Sequence, residues 1–322
     1  MIVTVTLNPA LHVDYEAEQI TLGASNQITR VRHRTGGRGL AVARVLHTFG
    51  HDVIAAGLAG GSAGETIRNE LARAGIATRF TRIGAESRRV VAVCDGLRGT
   101  VTGFTEPAPY ITTEELGRLA ADYRSLLDGA TAVVLCGSLP AGLPAETYGS
   151  LASYAAGAGV PVVLDAGGSA LHHGAARRPE LVIPELPVTD GGGRRAALDA
   201  AGISAPDAAG GSSVVLLTNR GVIALTSEGE WSAELPATAM ASVLESRNEV
   251  AGTRDALVAG FVPGIALAWS WPDTLRHAVA LAASVIPSGE VDLAAYEELL
   301  PLVEVTGPRA SWLADSQRSG SG

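Results

Sequence analysis

Asp255 stands in a turn of small residues that runs straight into an apolar, helix-like pattern. The chain reads Asn248-Glu249-Val250-Ala251-Gly252-Thr253-Arg254-Asp255 and continues as Ala256-Leu257-Val258-Ala259-Gly260-Phe261. Backbone N–H groups at a helix start gather anionic oxygen, and the helix dipole adds to that pull. A carboxylate in the same turn repels phosphate, so its chemical use there is to take a proton from a hydroxyl that attacks the phosphate. The other use of Asp255 is to cap the helix, a common role for aspartate. On this segment alone both readings stand.

The basic side chains narrow the chemistry further. All 24 of the Lys-or-Arg positions are arginine, and the chain holds no lysine. A Schiff-base lysine, a P-loop lysine and a lysine general base are therefore excluded. Anion recognition by side chains falls to arginine, whose planar fork suits phosphate. The net charge of −9 comes with no basic stripe, which argues against nucleic acid as a partner. No apolar run is long enough to span a membrane, and Met1-Ile2-Val3-Thr4-Val5 already reads as a strand with no targeting segment ahead of it. The expectation is a soluble, cytoplasmic protein. Cys94 and Cys136 each lie in an apolar strand-like run, the setting of buried free thiols and not of a disulfide or metal pair.

These residues must be carried by elements, and the pattern gives them. Val53–Ala56, Ala132–Leu135, Pro161–Leu164, Leu181–Ile183 and Val214–Leu217 read as buried parallel strands. Helical stretches at Gly64–Ala74, Thr113–Leu127 and Ala145–Ala156 alternate with them. That is the sequence form of a doubly wound α/β sheet, with residues 1–310 expected as one domain. Residues 13–34 and 84–106 instead alternate polar and apolar positions, as half-exposed antiparallel strands do. They predict a small sheet standing off the main one as a lid or a dimer surface. The Gly- and Ala-rich stretch 189–212 reads as a loop or a poorly formed helix, and the tail 311–322 as disordered.

Six phrases then occur in order: Thr6-Leu7-Asn8-Pro9-Ala10-Leu11, Gly36-Gly37-Arg38-Gly39-Leu40-Ala41, Gly57-Leu58-Ala59-Gly60-Gly61-Ser62-Ala63-Gly64, Thr105-Glu106-Pro107-Ala108-Pro109, Gly137-Ser138-Leu139-Pro140 and the Asp255 segment. Together they resemble the PfkB (ribokinase-like) carbohydrate kinases, in the branch holding 1-phosphofructokinase and tagatose-6-phosphate kinase. The likeness runs over roughly residues 1–300. It implies a three-layer α/β/α domain with a β-sheet lid, ATP with Mg²⁺, and a phosphorylated ketohexose as acceptor. It also implies pairing of two copies through the lid.

Residue by residue, the resemblance carries over only in part. Asp255 falls on the family's catalytic base, and Gly252-Thr253-Arg254-Asp255 on its Gly-Ala-Gly-Asp anion hole, with Arg254 in place of the last glycine. An arginine there is costly if the turn needs a positive φ. Its guanidinium either grips phosphate or points to solvent, and solvent is the expectation. On the sugar side His12 stands where relatives have Asp, with Asp14 on the same strand face; Arg38 replaces a lysine and Ala41 an asparagine. Gly36, Gly37, Gly39, Glu106 and Ser138 complete the expected acceptor site. Arg88 and Arg89 match a phosphate-gripping lid position; they point opposite ways on a strand, and Arg88 is taken as the one facing the ligand.

On the nucleotide side Ile183-Pro184-Glu185-Leu186-Pro187-Val188 replaces a Lys-Pro-Asn phrase and its following Glu, leaving Glu185 as the one candidate for magnesium. Thr218 and Gly221 mark the turn beside the ATP phosphates, and Ala282-Ala283-Ser284 a wall of the adenine pocket. The expected function is phosphoryl transfer from ATP to a hydroxyl of a small phosphorylated sugar, fructose-1-phosphate or tagatose-6-phosphate in kind. Two alternatives stay open: a catalytically impaired relative that only binds, and a kinase for an unusual acceptor.

Overall fold

The computed structural model describes residues 1–185, 198, 202–203, 211–218, 221–236, 252–286 and 288–309. Residues 189–197, 204–210 and the 311–322 tail, singled out above as loop and disordered end, lie outside them, as does Val188.

The apolar runs become the parallel part of one large sheet. Its strands are β1 (Ile2–Thr6), β4 (Val53–Gly60), β5 (Ala77–Ile83), β8 (Ala132–Cys136), β9 (Val162–Asp165), β10 (Leu181–Val182) and β11 (Ser213–Leu217). β1 is buried at every residue because β4 and β8 pair with it on either side and helices cover both faces. An antiparallel edge of β12 (Gly221–Thr226), β13 (Gly229–Glu234) and β14 (Glu304–Arg309) extends the sheet to ten strands, in the order β14-β13-β12-β11-β10-β9-β8-β1-β4-β5.

Alternation along β1 decides which layer each side chain joins. Val3 and Val5 pack with α3 (Thr113–Leu127), α4 (Thr147–Gly157) and α5 (Gly168–Ala175) on one face. Ile2 joins the opposite layer, built from α1 (Arg38–Thr48), α2 (Gly61–Arg73), α6 (Thr253–Leu267) and α7 (Trp271–Ala283). The short α8 (Leu293–Leu299) follows before β14. This is the expected three-layer α/β/α arrangement. α3 begins at Thr112 through a capping box, Thr112 taking the Glu115 N–H and Glu115 taking the Thr112 N–H. α6 and α7 approach closely because Gly260 offers no side chain: a Cβ there would overlap the Ala278 backbone.

The two alternating segments form a separate four-stranded sheet in the order β3-β2-β6-β7, from β2 (Ala10–Ala17), β3 (Arg30–Gly36), β6 (Arg88–Asp95) and β7 (Thr100–Thr105). The strands sit a few residues away from the expected limits. β2 and β3 start and end outside 13–34 because they emerge directly from the main domain, while residues 84–87 connect β5 to β6. Leu11 and Val13 are buried toward the main domain, and His12 and Asp14 share the other face. Cys94 is half-buried on this sheet and not buried as expected, since one lid face meets solvent; Cys136 is buried, and both are free thiols. Among the described residues no helix is long and apolar enough to cross a membrane.

Candidate active site

Two groups of charged residues gather where the sheets meet. The inner group centres on Asp165, the last residue of β9, whose carboxylate is fully buried. Its Oδ1 accepts from Arg254 Nε at 3.1 Å, Arg254 Nη2 at 2.7 Å and Arg38 Nη2 at 3.0 Å. Its Oδ2 lies 2.9 Å from Arg38 Nη2, close in charge but not aligned as a hydrogen bond. Burial pushes the Asp165 carboxyl upward despite both guanidinium groups. Neither the composition nor the six phrases pointed to Asp165. The signal available was an acid closing an apolar parallel strand, the end of the sheet where ligands bind in α/β folds.

Arg38 opens α1 directly after Gly37, whose φ of 126° belongs to the glycine-favouring region. Its Nη1 reaches Glu185 Oε2 at 3.2 Å, and its Nε lies 3.7 Å from Asp255 Oδ1. Burial opposes the charge of Arg38, yet Asp165, Glu185 and Asp255 together hold its pKa above the usual arginine value. Arg38 is thus no unattached cation awaiting a sugar phosphate: it is the hub of an acid cluster.

Asp255 lies in the first turn of α6, after Gly252 in the left-handed conformation at φ 98°. The N-cap position is Gly252, so Asp255, three residues further on, does not cap that helix. Its side chain is 18% exposed, and burial pushes its carboxyl up to about 6 against the pull of Arg38. Arg254 is helical and carries no positive φ; the turn's left-handed position is Gly252, which is retained. The expected solvent orientation of Arg254 is also wrong. Besides Asp165, its Nη2 donates to the Ile183 carbonyl at 3.0 Å, because the buried carboxylate at the end of β9 draws it inward.

The outer group is on the lid. Arg34 Nε pairs with Asp14 Oδ2 at 3.0 Å across the β2–β3 ladder, so the Asp14 carboxylate is already engaged. His12 sits opposite Arg34, with its ring over the space a Gly36 side chain would fill. Burial first, then Arg34 and Arg88, lower its pKa, leaving a neutral imidazole. Arg89 is held by Glu86 at 3.0 Å and Ser62 at 3.1 Å, and Glu106 takes its backbone N–H at 2.7 Å. Arg88 has no carboxylate partner among the described residues, and its Nε is buried without a hydrogen bond. The start of α2, another place for an anion, is filled by Glu86, which takes the Ser62 and Ala63 N–H groups at 3.1 and 2.6 Å.

The remaining candidates are scattered. Ser138 follows β8, exposed, and receives Asn8 Nδ2 at 3.1 Å. Gly39 lets α1 lie on β1, where a Cβ would overlap Thr6 Oγ1. Thr218 and Gly221 flank the β11–β12 turn through the Gly221 N–H to Thr218 Oγ1 at 3.0 Å. The Ser284 hydroxyl is buried and donates to the Leu281 carbonyl of its own helix at 2.9 Å.

Magnesium held by the protein does not fit this donor set. The Asp165 oxygens face two guanidinium groups, Glu185 lies on Arg38, and among the described residues no three ligating side chains gather about a common point. A divalent cation entering there would confront two fixed positive charges.

Solved structures share the fold at low identity. A protein described as a possible 1-phosphofructokinase from Thermotoga maritima aligns at 22% identity and TM-score 0.75, over 95% of this chain and 99% of that one. Phosphofructokinase-2 from Escherichia coli in complex with fructose-6-phosphate aligns at 23% and 0.77, over 93% and 98%. A carbohydrate kinase from Agrobacterium tumefaciens aligns at 18% and 0.70, over 95% and 99%. Residues 9–187, which hold the lid, Arg38, Asp165 and Glu185, match the family described as pfkB family carbohydrate kinase. More than half of the chain lies in that match, and the chain belongs to the pfkB family of carbohydrate kinases.

Proposed function

We propose that the protein transfers the γ-phosphoryl group of ATP to a hydroxyl of a small phosphorylated sugar, in the cytoplasm. The observation that carries this reading is Asp255: a mostly buried carboxylate with a pKa of about 6, in the first turn of a helix, 3.7 Å from Arg38. A base of that strength is ionised at neutral pH and still accepts a proton as the hydroxyl attacks. The acceptor oxygen bonds to the γ-phosphorus, its proton passes to Asp255, and the bond to the β–γ bridging oxygen breaks to release ADP. Amides in the first turn of α6 face the developing charge. Arg88, half-buried on the lid and with no carboxylate partner among the described residues, takes the phosphate the acceptor already carries; His12 orients a sugar hydroxyl. No step is assigned to magnesium.

The test is turnover with ATP across fructose-1-phosphate, fructose-6-phosphate and tagatose-6-phosphate, in wild type and Asp255→Asn. We expect turnover of at least one, and a loss on the order of a hundredfold or more in the variant, the size of a lost general base. Equal rates in the two proteins would remove Asp255 from the mechanism. One observation favours the rival reading of a fold kept for binding alone. Arg38 is bonded to Glu185 and shares the buried Asp165 with Arg254, so these charged groups already satisfy one another. Silence on the whole panel with no ATP binding would establish it. ATP binding with silence on these sugars would instead point to an unusual acceptor, consistent with His12 and Ala41.

A further inference from the structure

We infer that Arg254 is a resident cation that makes nucleotide binding independent of a divalent metal. The inference rests on the kinase reading above. The inner group sets Arg38 and Arg254 against Asp165, Asp255 and the more exposed Glu185, two positive charges against three negative, a balance of −1. Without Arg254 the same set is left at −2, beside the helix start where a phosphate oxygen must approach. A kinase with a small neutral residue at this position would need an added cation to bring a polyphosphate there.

Arg254 supplies that charge from within the chain. It lies in the same helical turn as Asp255, and its guanidinium is fixed by two bonds to the buried Asp165 and one to the Ile183 carbonyl. A guanidinium fixed in advance costs little reorganisation when a phosphate arrives. Asp165 is the positioning residue that holds it, and Arg38, there. The same arrangement explains why these carboxylates do not suit magnesium: the cation they would bind is already part of the polypeptide.

The experiment is calorimetric titration of ATP into the full chain, with excess EDTA and separately with excess Mg²⁺. The proteins are wild type, Arg254→Gly and Arg254→Lys, each first shown by melting to be folded. Wild type should bind ATP with affinities within about threefold of each other in the two buffers. Arg254→Gly should lose about tenfold or more in EDTA and recover with Mg²⁺, and Arg254→Lys should stay near wild type. Wild-type binding that appears only with Mg²⁺, or Arg254→Gly binding in EDTA as tightly as wild type, would overturn the inference and leave the kinase reading intact. No ATP binding by wild type in either buffer would overturn both.

Discussion

Burying Asp255 has a thermodynamic signature separate from any activity. Its folded pKa of about 6 exceeds its ordinary value of 3.8, so the native state favours the protonated acid. The native state is therefore unpenalised below about pH 4 and loses stability as pH rises from there to about 6. The loss is on the order of 2–3 kcal/mol above that window. Asp255→Asn should melt with wild type at pH 4 and above it at pH 7, by several degrees; equal melting temperatures at both pH values would show that the carboxyl is not perturbed. The rate should fall on the acid side with an apparent pKa near 6, as the base becomes protonated. The place of Asp255 in the first turn of a helix could be read from sequence because it depends only on its neighbours. The destination of Arg254 could not, because it is set by Asp165, 89 residues away. Glu185 was read as a metal ligand for the same reason: its partner, Arg38, lies 147 residues distant.

Among the elements, the contact of α6 with α7 holds the turn that carries Asp255 in place. Substituting alanine for a helical glycine usually adds up to about 1 kcal/mol through propensity. At Gly260 the new Cβ would meet the Ala278 backbone, which cannot rotate aside as a side chain can. Overpacking of this kind costs about 1–3 kcal/mol, so the packing term wins. Gly260→Ala should lower the urea midpoint with the m-value unchanged; a raised midpoint would mean the helices part easily. The parallel strands were legible because burial on both faces leaves unbroken apolar runs such as Val133-Val134-Leu135. The edge strands β12 to β14 were not. β14 pairs with β13 from some seventy residues further along, and Glu304–Arg309 has no apolar rhythm to reveal it.

At the scale of the molecule, the lid presents one face that the main domain does not cover. The strand registers put Val90, Ala92 and Cys94 of β6 and Val101 of β7 on the same side as His12 and Asp14. Val101 is 66% exposed, and Arg34–Asp14 and Arg32–Glu16 ion pairs border the apolar strip. We expect a second copy to cover this face. Ala92→Arg, at its middle, should turn a dimer into a monomer by light scattering while melting as wild type does; an unchanged mass would exclude the lid as the interface.

A single residue, Gly37, joins the end of β3 to Arg38 at the start of α1. The lid's other tethers, residues 7–9, 84–87 and 106–112, are also brief. Any turn of the small sheet against the main domain would therefore be felt by the interior charges. Part of it would fall on a glycine whose next neighbour grips Asp165, so the tilt of that sheet and the arrangement of the arginine–carboxylate knot are mechanically linked.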